Sequence, residues 1–466
     1  MAKKTMRLCR KCQEMSALQQ SRIALKCFIE NTEESWESMK KGIAGIQWMI
    51  FMIAAAIVAP ISIANQYHLT TTETSGLLAR TIFVLGIAGI LQIIIGHKLP
   101  IHEGPAGLWW SVFTVYTGFI GVLYSTNIAA LQALSGAMIV SGGFFIILSF
   151  FGFIEKLAKL FTPTVTFIYL MLLVLQLSGS FIKGMFGITG ENGTINVKTA
   201  LLSLVVVCLS FFFGKTRILW VRQYSVVFSL LIGWLLFIVF RQAPAVAHTS
   251  SWFALPELFP FGAPLFDLGG ITTAFFLTFL LITNLVASIR LMETIVNPSG
   301  TEDSSRYRRS GFVSGFNQLL GGGFGAIGSV PISGAAGFVA QTGEKSRLAF
   351  LIGCVLTTVI TFFPPLMHVM AAIPAPVGYA VVFVLFSNMV VMALKELKNI
   401  IRLENDTYLI IGISLMTGVG IMFLPPSATS QLPAALIALL NNGLIVGSMI
   451  GILLEQLLLY RNRTQK

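Results

Sequence analysis

The chain has 466 residues, of which 55% are apolar and only 11% charged, against roughly 25% charged in soluble globular proteins. So few charges cannot cover a water-exposed surface, and Phe alone occurs 37 times. That excludes a string of soluble domains, a disordered chain, a collagen and a disulfide scaffold, and leaves lipid as the solvent for most of the chain.

Residues 1–43 carry charges throughout and contain no apolar core of a secretory signal, so they read as a cytoplasmic N-terminal tail with a helical pattern over 17–41. Cys9 and Cys12 form a CxxC there, with Cys27 nearby but no His and no second CxxC, too few ligands for a zinc site. Apolar stretches then recur, each long enough for the ~30 Å hydrocarbon core. They fall near 44–64, 77–96, 105–123, 128–153, 160–181, 199–214, 219–240, 270–289, 310–327, 332–343, 347–366, 377–394, 407–424 and 432–459, about fourteen in all. The fold class is therefore all-α and polytopic. With the N-terminus inside, all but four of the 31 Lys and Arg lie on the cytoplasmic side, the four being Arg80, Lys183, Lys198 and Arg241. This bias places both termini in the cytoplasm and assigns the net charge of +12 to topology, not to a nucleic-acid partner. Cys208 and Cys354 fall inside spans as small packing residues.

The spans divide into two sets of seven joined by an external loop, 241–269. Seven is odd, so the second set runs through the membrane in the opposite sense, the inverted repeat common in secondary transporters. Both sets carry a Gly/Pro-broken segment at their third span. In the first it is Leu99-Pro100-Ile101-His102-Glu103-Gly104-Pro105-Ala106-Gly107; in the second, Val330-Pro331-Ile332-Ser333-Gly334-Ala335-Ala336-Gly337. Neither can start as a continuous helix, and short extended segments are expected in spans 3 and 10. Backbone groups left unpaired at membrane depth must face ligand, water or protein. Half-helices opening there would turn N–H donors toward a polar substrate. Gly321-Gly322-Gly323-Phe324-Gly325 lacks the Lys-Ser/Thr of a phosphate loop and reads as close helix packing.

Glu103 is the one acid inside either broken segment. A carboxylate at that depth costs roughly 2.5–3.5 kcal/mol on insertion scales and by default marks a pathway or binding site. The competing reading is an interfacial acid paired with Lys98. His102 is its neighbour on an extended segment, so the two side chains point to opposite sides, and His102 stands as structural or supporting. His97 and His368 border spans and read as interfacial. Gln47, Asn284, Ser333 and Thr342 are polar groups inside spans that fit either ligand contact or interhelical hydrogen bonding. Trp48, Trp109 and Trp110 fit a stacking surface or an aromatic belt, with Trp109 close enough to the break to stack on a flat ligand. No catalytic triad, carboxylate pair or metal-ligand cluster occurs in the sequence, so neither an enzyme nor a cofactor is expected.

Several motifs in order resemble the nucleobase–ascorbate transporter family, which includes bacterial uracil and xanthine permeases. The resemblance runs from about Ile43 to Leu458. Ile46-Gln47-Trp48 followed by Ala54-Ala55-Ala56-Ile57-Val58-Ala59-Pro60 looks like the family's first span, with Gln-Trp in place of its usual Gln-His. Lys98-Leu99-Pro100 through Gly104 is similar to its third-span opening, and Ile373-Pro374-Ala375-Pro376-Val377 to the start of its twelfth. Leu432-Pro433 through Asn441-Asn442-Gly443 and Val446-Gly447 is similar to its last span.

The resemblance implies a core domain (44–156 and 270–366, spans 1–4 and 8–11) and a gate domain (157–240 and 367–459, spans 5–7 and 12–14), with 460–466 as a cytoplasmic C-terminus. Two departures stand out. The family's eighth-span Glu is replaced by Asn284. Its tenth-span Glu/Gln-Asn pair is absent from Gly334-Ala335-Ala336-Gly337-Phe338-Val339-Ala340-Gln341-Thr342-Gly343, where Gly337 and Thr342 survive. The expected activity is proton-coupled, alternating-access import of a purine or uracil. The base would be bound by Glu103, Gly107, Trp109, Asn284, Ser333, Gly334 and Ala335, with Glu103 as coupling group. Gln47, Trp48, His102, Gly104, Pro105, Gly337 and Thr342 would support them. An uncoupled facilitator and a non-transporting membrane sensor are the rival readings. Expected partners are the nucleobase, a proton, the lipid membrane and a second copy through the gate domains.

Overall fold

A computed structural model describes residues 39–464, apart from 155, 157–159, 161, 189–192, 247–250, 297–303, 399–404, 430, 433–435, 437–439 and 441. The expected tail helix and the Cys9–Cys12 pair lie outside the described residues.

Several of the long helices begin at side-chain caps. After α1 (Met39–Gln66), with a turn at Ile57, Thr70 and Glu73 form a reciprocal capping box that starts α2 (Thr71–Ile94). Helix α3 (Gly107–Thr117) is short; Thr126 then caps α4 (Asn127–Phe150), and Thr162 with Pro163 opens α5 (Pro163–Met185). Asn196 caps α6 (Val197–Lys215), followed by α7 (Leu219–Gln223) and α8 (Ser225–Val239). The second half holds α9 (Leu268–Val296), α10 (Ser304–Gly323), α11 (Gly334–Thr342), α12 (Arg347–Ile360) and α13 (Pro364–Ala371). It ends with α14 (Ala375–Lys398), α15 (Asn405–Met422) and α16 (Gly443–Thr464).

Each expected span contains helix. Among the described residues, however, only nine helices are long and apolar enough to cross a membrane, ten if α12 and α13 are joined. The count of fourteen is thus not matched element for element, and most of the differences have a local cause. Spans 3 and 10 are half-helices, and α10 begins with Arg306, Arg308 and Arg309 in its first turns. Span 11 does not run to 366: α12 stops at Ile360 and the chain bends by 90° into α13. Pro364 and Pro365 cannot continue the preceding helix, and they restrict Phe363. In span 14 the described helix α16 runs from Gly443, with the Asn442 side chain accepting from Ile445 N at 3.2 Å.

Helix α4 packs on α9 and α10, and α2 on α10, α12 and α13. A second group forms as α5 packs on α14, α15 and α16, and α6 on α8 and α14. Contacts α1–α14 and α3–α5 join the two groups. The α4–α10 seam is very close: a Cβ on Gly142 would lie 2.7 Å from the Gly315 carbonyl oxygen, and one on Gly315 2.9 Å from that of Gly142. Gly322 continues the seam against Ser135 O, which gives the glycine run its helix-packing role.

The two broken segments meet. Strands β1 (Glu103–Pro105) and β2 (Ser329–Pro331) pair antiparallel, with Glu103 opposite Pro331, Gly104 opposite Val330 and Pro105 opposite Ser329. Ala106 N donates to Gly328 O and Ile332 N to His102 O, both at 2.9 Å, extending the ribbon at its ends. The antiparallel sense is what two oppositely oriented repeats produce when their equivalent segments pair.

Candidate functional site

The ribbon gives each following half-helix a fixed start. Among the described residues, the N–H groups of Gly107, Leu108 and Trp109 open α3 without a hydrogen-bond partner. At α11 the expectation needs correction. Ala335 N donates to Ile332 O at 3.1 Å and Ala336 N to Ser333 O at 3.0 Å, so a turn consumes them. The Ala335 methyl is fully buried, and among the described residues Ser333 N and Gly334 N have no hydrogen-bond partner. Gly334 is exposed, with only Ile332 Cγ2 near a hypothetical Cβ at 3.5 Å, and Gly337 faces open space. Gly107 looks across at Leu173 of α5 and Phe386 of α14.

Asn284 and Ser288 stand one turn apart on α9 and both reach β2. Asn284 Nδ2 donates to Pro331 O at 3.3 Å, and Ser288 Oγ donates to the same oxygen at 2.8 Å. Ser288 has one hydroxyl proton, so the 2.9 Å contact between its Oγ and that of Ser333 has Ser333 as donor. Asn284 Oδ1 and the lone pairs of Ser333 then remain as acceptors at a half-buried edge, beside the two free N–H groups. This mixed set suits the edge of a heterocycle that presents both donors and acceptors.

Glu103 is 1% exposed, and among the described residues the Ser329 hydroxyl is the nearest donor, lying beside a carboxylate that meets no partner at full hydrogen-bond geometry. The titratable group facing it is not Lys98. It is His97, whose Nε2 stands 4.0 Å from Glu103 Oε1. His97 is fully buried, not interfacial, because the chain turns through a left-handed Lys98 (φ +57°) and tucks the imidazole beneath β1. His102 points elsewhere, as neighbours on extended backbone do: its ring meets Phe51 edge-on at 5.8 Å, and both its nitrogens are buried and unpartnered.

Trp109 does not present a stacking face to an open crevice. It is fully buried, its indole N–H donates to Gln318 Oε1 at 2.7 Å, and Gln318 Nε2 donates to Ser329 O at 2.6 Å. A Cβ on Gly328 would overlap the indole, so Trp109 fastens α3 to α10 and β2. Trp48 is likewise packed, against Phe338 at 4.4 Å and Phe350 at 5.0 Å, and ties α1 to α11 and α12. Gln47 is half-buried with no hydrogen bond among the described residues. Thr342 ends α11, donating to Phe338 O at 2.8 Å and accepting from Glu344 N at 3.2 Å. Gly104 and Pro105 are ribbon residues, and Gly104 lets Ile332 approach to 2.6 Å of where a Cβ would stand.

Sequence reasoning missed Ser288, Gln318 and the burial of His97. Ser288 was within reach, being four residues from Asn284 and so on the same helix face. Gln318 lies on the first turn before the glycine run, and nothing local ties it to Trp109.

A model of the Permease family that covers xanthine and uracil permeases matches residues 39–427. The chain is 43% identical over 91% of its length, and 97% of the relative's, to "Putative purine permease YwdJ" of Bacillus subtilis (strain 168). It is 27% identical to the uric acid permease PucJ of the same organism, over 92% of this chain and 94% of that one. It is also 27% identical to a xanthine permease of that organism, over 88% of this chain and 92% of that one. Among solved structures it is similar to the transmembrane domain of the cyanobacterium bicarbonate transporter BicA, with a TM-score of 0.60 at 14% identity, covering 88% of this chain and 97% of that one. The murine anion transporter Slc26a9 in its inward-facing state gives a TM-score of 0.64 at 13% identity, covering 90% of this chain and 68% of that one. These two show the fold alone. Family match, identity and fold agree, and the chain belongs to the xanthine/uracil permease family of multi-pass membrane transporters.

Proposed function

We propose that the protein imports a nucleobase, a purine such as xanthine, hypoxanthine or uric acid, or else uracil, together with a proton. The observation that carries this reading is the ribbon between spans 3 and 10, which sets a buried, unpartnered Glu103 carboxyl beside the free donors and acceptors of Ser333, Gly334 and Asn284. A carboxyl with no committed partner is able to exchange a proton when the site opens to water. The relatives named for purine, uric acid and xanthine support the substrate class.

The two packing groups support a reading of alternating access. The group around α4, α9, α10 and the ribbon acts as the core, and the group around α5, α14, α15 and α16 as the gate. Movement of one against the other would expose the edge at Gly107 and Gly334 to either side in turn. Both termini lie in the cytoplasm, the location is the cell membrane, and gate helices pair two copies; the charge bias along the sequence supports the first of these.

A second reading, an uncoupled facilitator, is favoured by one fact: Asn284 stands where the resemblance leads one to expect an acid, and Gly334-Ala335 where it leads one to expect an acid or amide pair. Uptake of radiolabelled xanthine, uric acid and uracil into cells or vesicles, with and without an imposed proton gradient, separates the two. Accumulation above equilibrium that collapses with the gradient supports symport. Equilibration alone supports the facilitator, and binding without uptake refutes both.

A further inference from the structure

The His97–Glu103 pair has a directional geometry that the proposed symport does not by itself require. Leu99 N donates to His97 Nδ1 at 3.1 Å. Nδ1 is thereby the acceptor nitrogen, so the neutral ring carries its proton on Nε2. Among the described residues Nε2 has no other partner, and it faces Glu103 Oε1 at 4.0 Å, about 1 Å beyond hydrogen-bond range. The ring is held from behind as well. Arg306 Nη1 donates to the His97 carbonyl at 2.6 Å, while Arg306 Nε sits 2.8 Å from Glu293 Oε1. Gln92 ties the end of α2 to α10 through Ser310 O at 3.2 Å and Ser314 Oγ at 3.0 Å.

We propose that His97 is a positioning residue for Glu103: a neutral imidazole of fixed tautomer that offers Nε2–H to the carboxylate and orients it, without carrying the proton onward. A relay would need to release a proton from one nitrogen while accepting on the other. Here Nδ1 is occupied by a backbone N–H that has no proton to give and no base to receive one. The other groups around the pair are the Arg306 guanidinium on α10, the Cys354 thiol on α12 and the Ser329 hydroxyl on β2. Of these, Arg306 is engaged by the His97 carbonyl and Glu293, so Nε2–H and the Ser329 hydroxyl are the donors beside the carboxyl, and Nε2 is the one that faces Oε1, at 4.0 Å.

This rests on the reading of Glu103 as coupling group, and the test separates the two. Purified protein in lipid is followed by pH-difference infrared spectroscopy, with the carboxyl C=O band of Glu103 identified by its loss in Glu103→Gln. His97→Leu should displace that band and its pH midpoint, whereas His97→Gln, which keeps a side-chain N–H at similar reach, should leave both nearly in place. In uptake of radiolabelled xanthine and uric acid, His97→Leu should lower gradient-driven accumulation about tenfold while sparing counterflow exchange, and should add nothing in a Glu103→Gln background, as coupled neighbours behave. An unmoved band in His97→Leu, or an equal loss in the Glu103→Gln background, overturns the role of His97. Normal accumulation in Glu103→Gln overturns Glu103 as the coupling group and leaves the infrared result to judge His97 alone. Should His97→Leu not reach the membrane, His97→Asn, with a shorter reach, should displace the band where His97→Gln does not.

Discussion

Trp109 and Gln318 meet at 2.7 Å across 209 residues of sequence, indole N–H to amide oxygen, and the same amide holds Ser329 O on the opposite strand. One buried side chain thus clamps the third span, the ninth span and β2 together. Replacing Gln318 with Leu should strand the indole N–H and the Ser329 carbonyl, at about 1–3 kcal/mol for each buried group left unpaired. The check is thermal unfolding of the purified protein in lipid. An unchanged transition in Gln318→Leu would show that the clamp contributes nothing.

Glu103→Gln should lower proton-driven accumulation by more than about tenfold, since an amide keeps the volume and some hydrogen bonding but cannot exchange a proton. The amount of protein in the membrane should stay near wild type. Uptake normalised to that amount, measured across pH, decides the matter. A mutant that accumulates normally with the wild-type pH dependence removes Glu103 from the coupling step.

At α11 bulk should matter more than a hydroxyl. A Cβ on the exposed Gly334 would meet only Ile332 Cγ2, at an ordinary contact distance of 3.5 Å, so Gly334→Val should fold and still block a flat ring from reaching the two free N–H groups. Ser333→Ala should cost only about 1 kcal/mol, one modest hydrogen bond. Ala335→Leu is a different experiment, because that methyl is fully buried and the larger side chain should lower the yield of folded protein. Normal uptake in Gly334→Val combined with failure in Ser333→Ala would mean that substrate is read by the hydroxyl.

Asn284 already donates to Pro331 O, so its free oxygen is the group available to a ligand. Asn284→Ala should weaken substrate binding about tenfold, near the loss of one hydrogen bond to a buried partner. Asn284→Leu should be worse by filling the edge. Equal and normal affinity in both, by competition of unlabelled bases against uptake, would make Asn284 a strut for β2 and nothing more.

How far the sequence carried this picture depends on the kind of information each feature needs. Long apolar runs are local, so most spans were legible, while the Thr and Asn caps that set helix starts such as Thr71 were equally local but masked by the apolar pattern. Matched Gly/Pro breaks marked both ribbon strands, yet their register was not accessible, since it depends on pairing between segments that share no local pattern. His97 looked interfacial because it follows the last apolar turn of α2; only the left-handed Lys98 reverses the chain and buries it. Trp109 looked like a platform because proximity along the chain says nothing of which way a ring turns. The bend before α13 did have a signal, Pro364-Pro365, but a continuous apolar run concealed it.

The ribbon also sets an order of assembly. During synthesis β1 enters the bilayer with its edge bare, and its partner emerges only after the intervening helices have been made. Until then the first repeat holds unsatisfied strand amides and an acid in lipid, a cost that hydrocarbon cannot relieve. The nascent half is therefore a client for whatever shields polar backbone in the membrane, and a chain truncated before Ser329 should be degraded instead of accumulating as a half-sized permease.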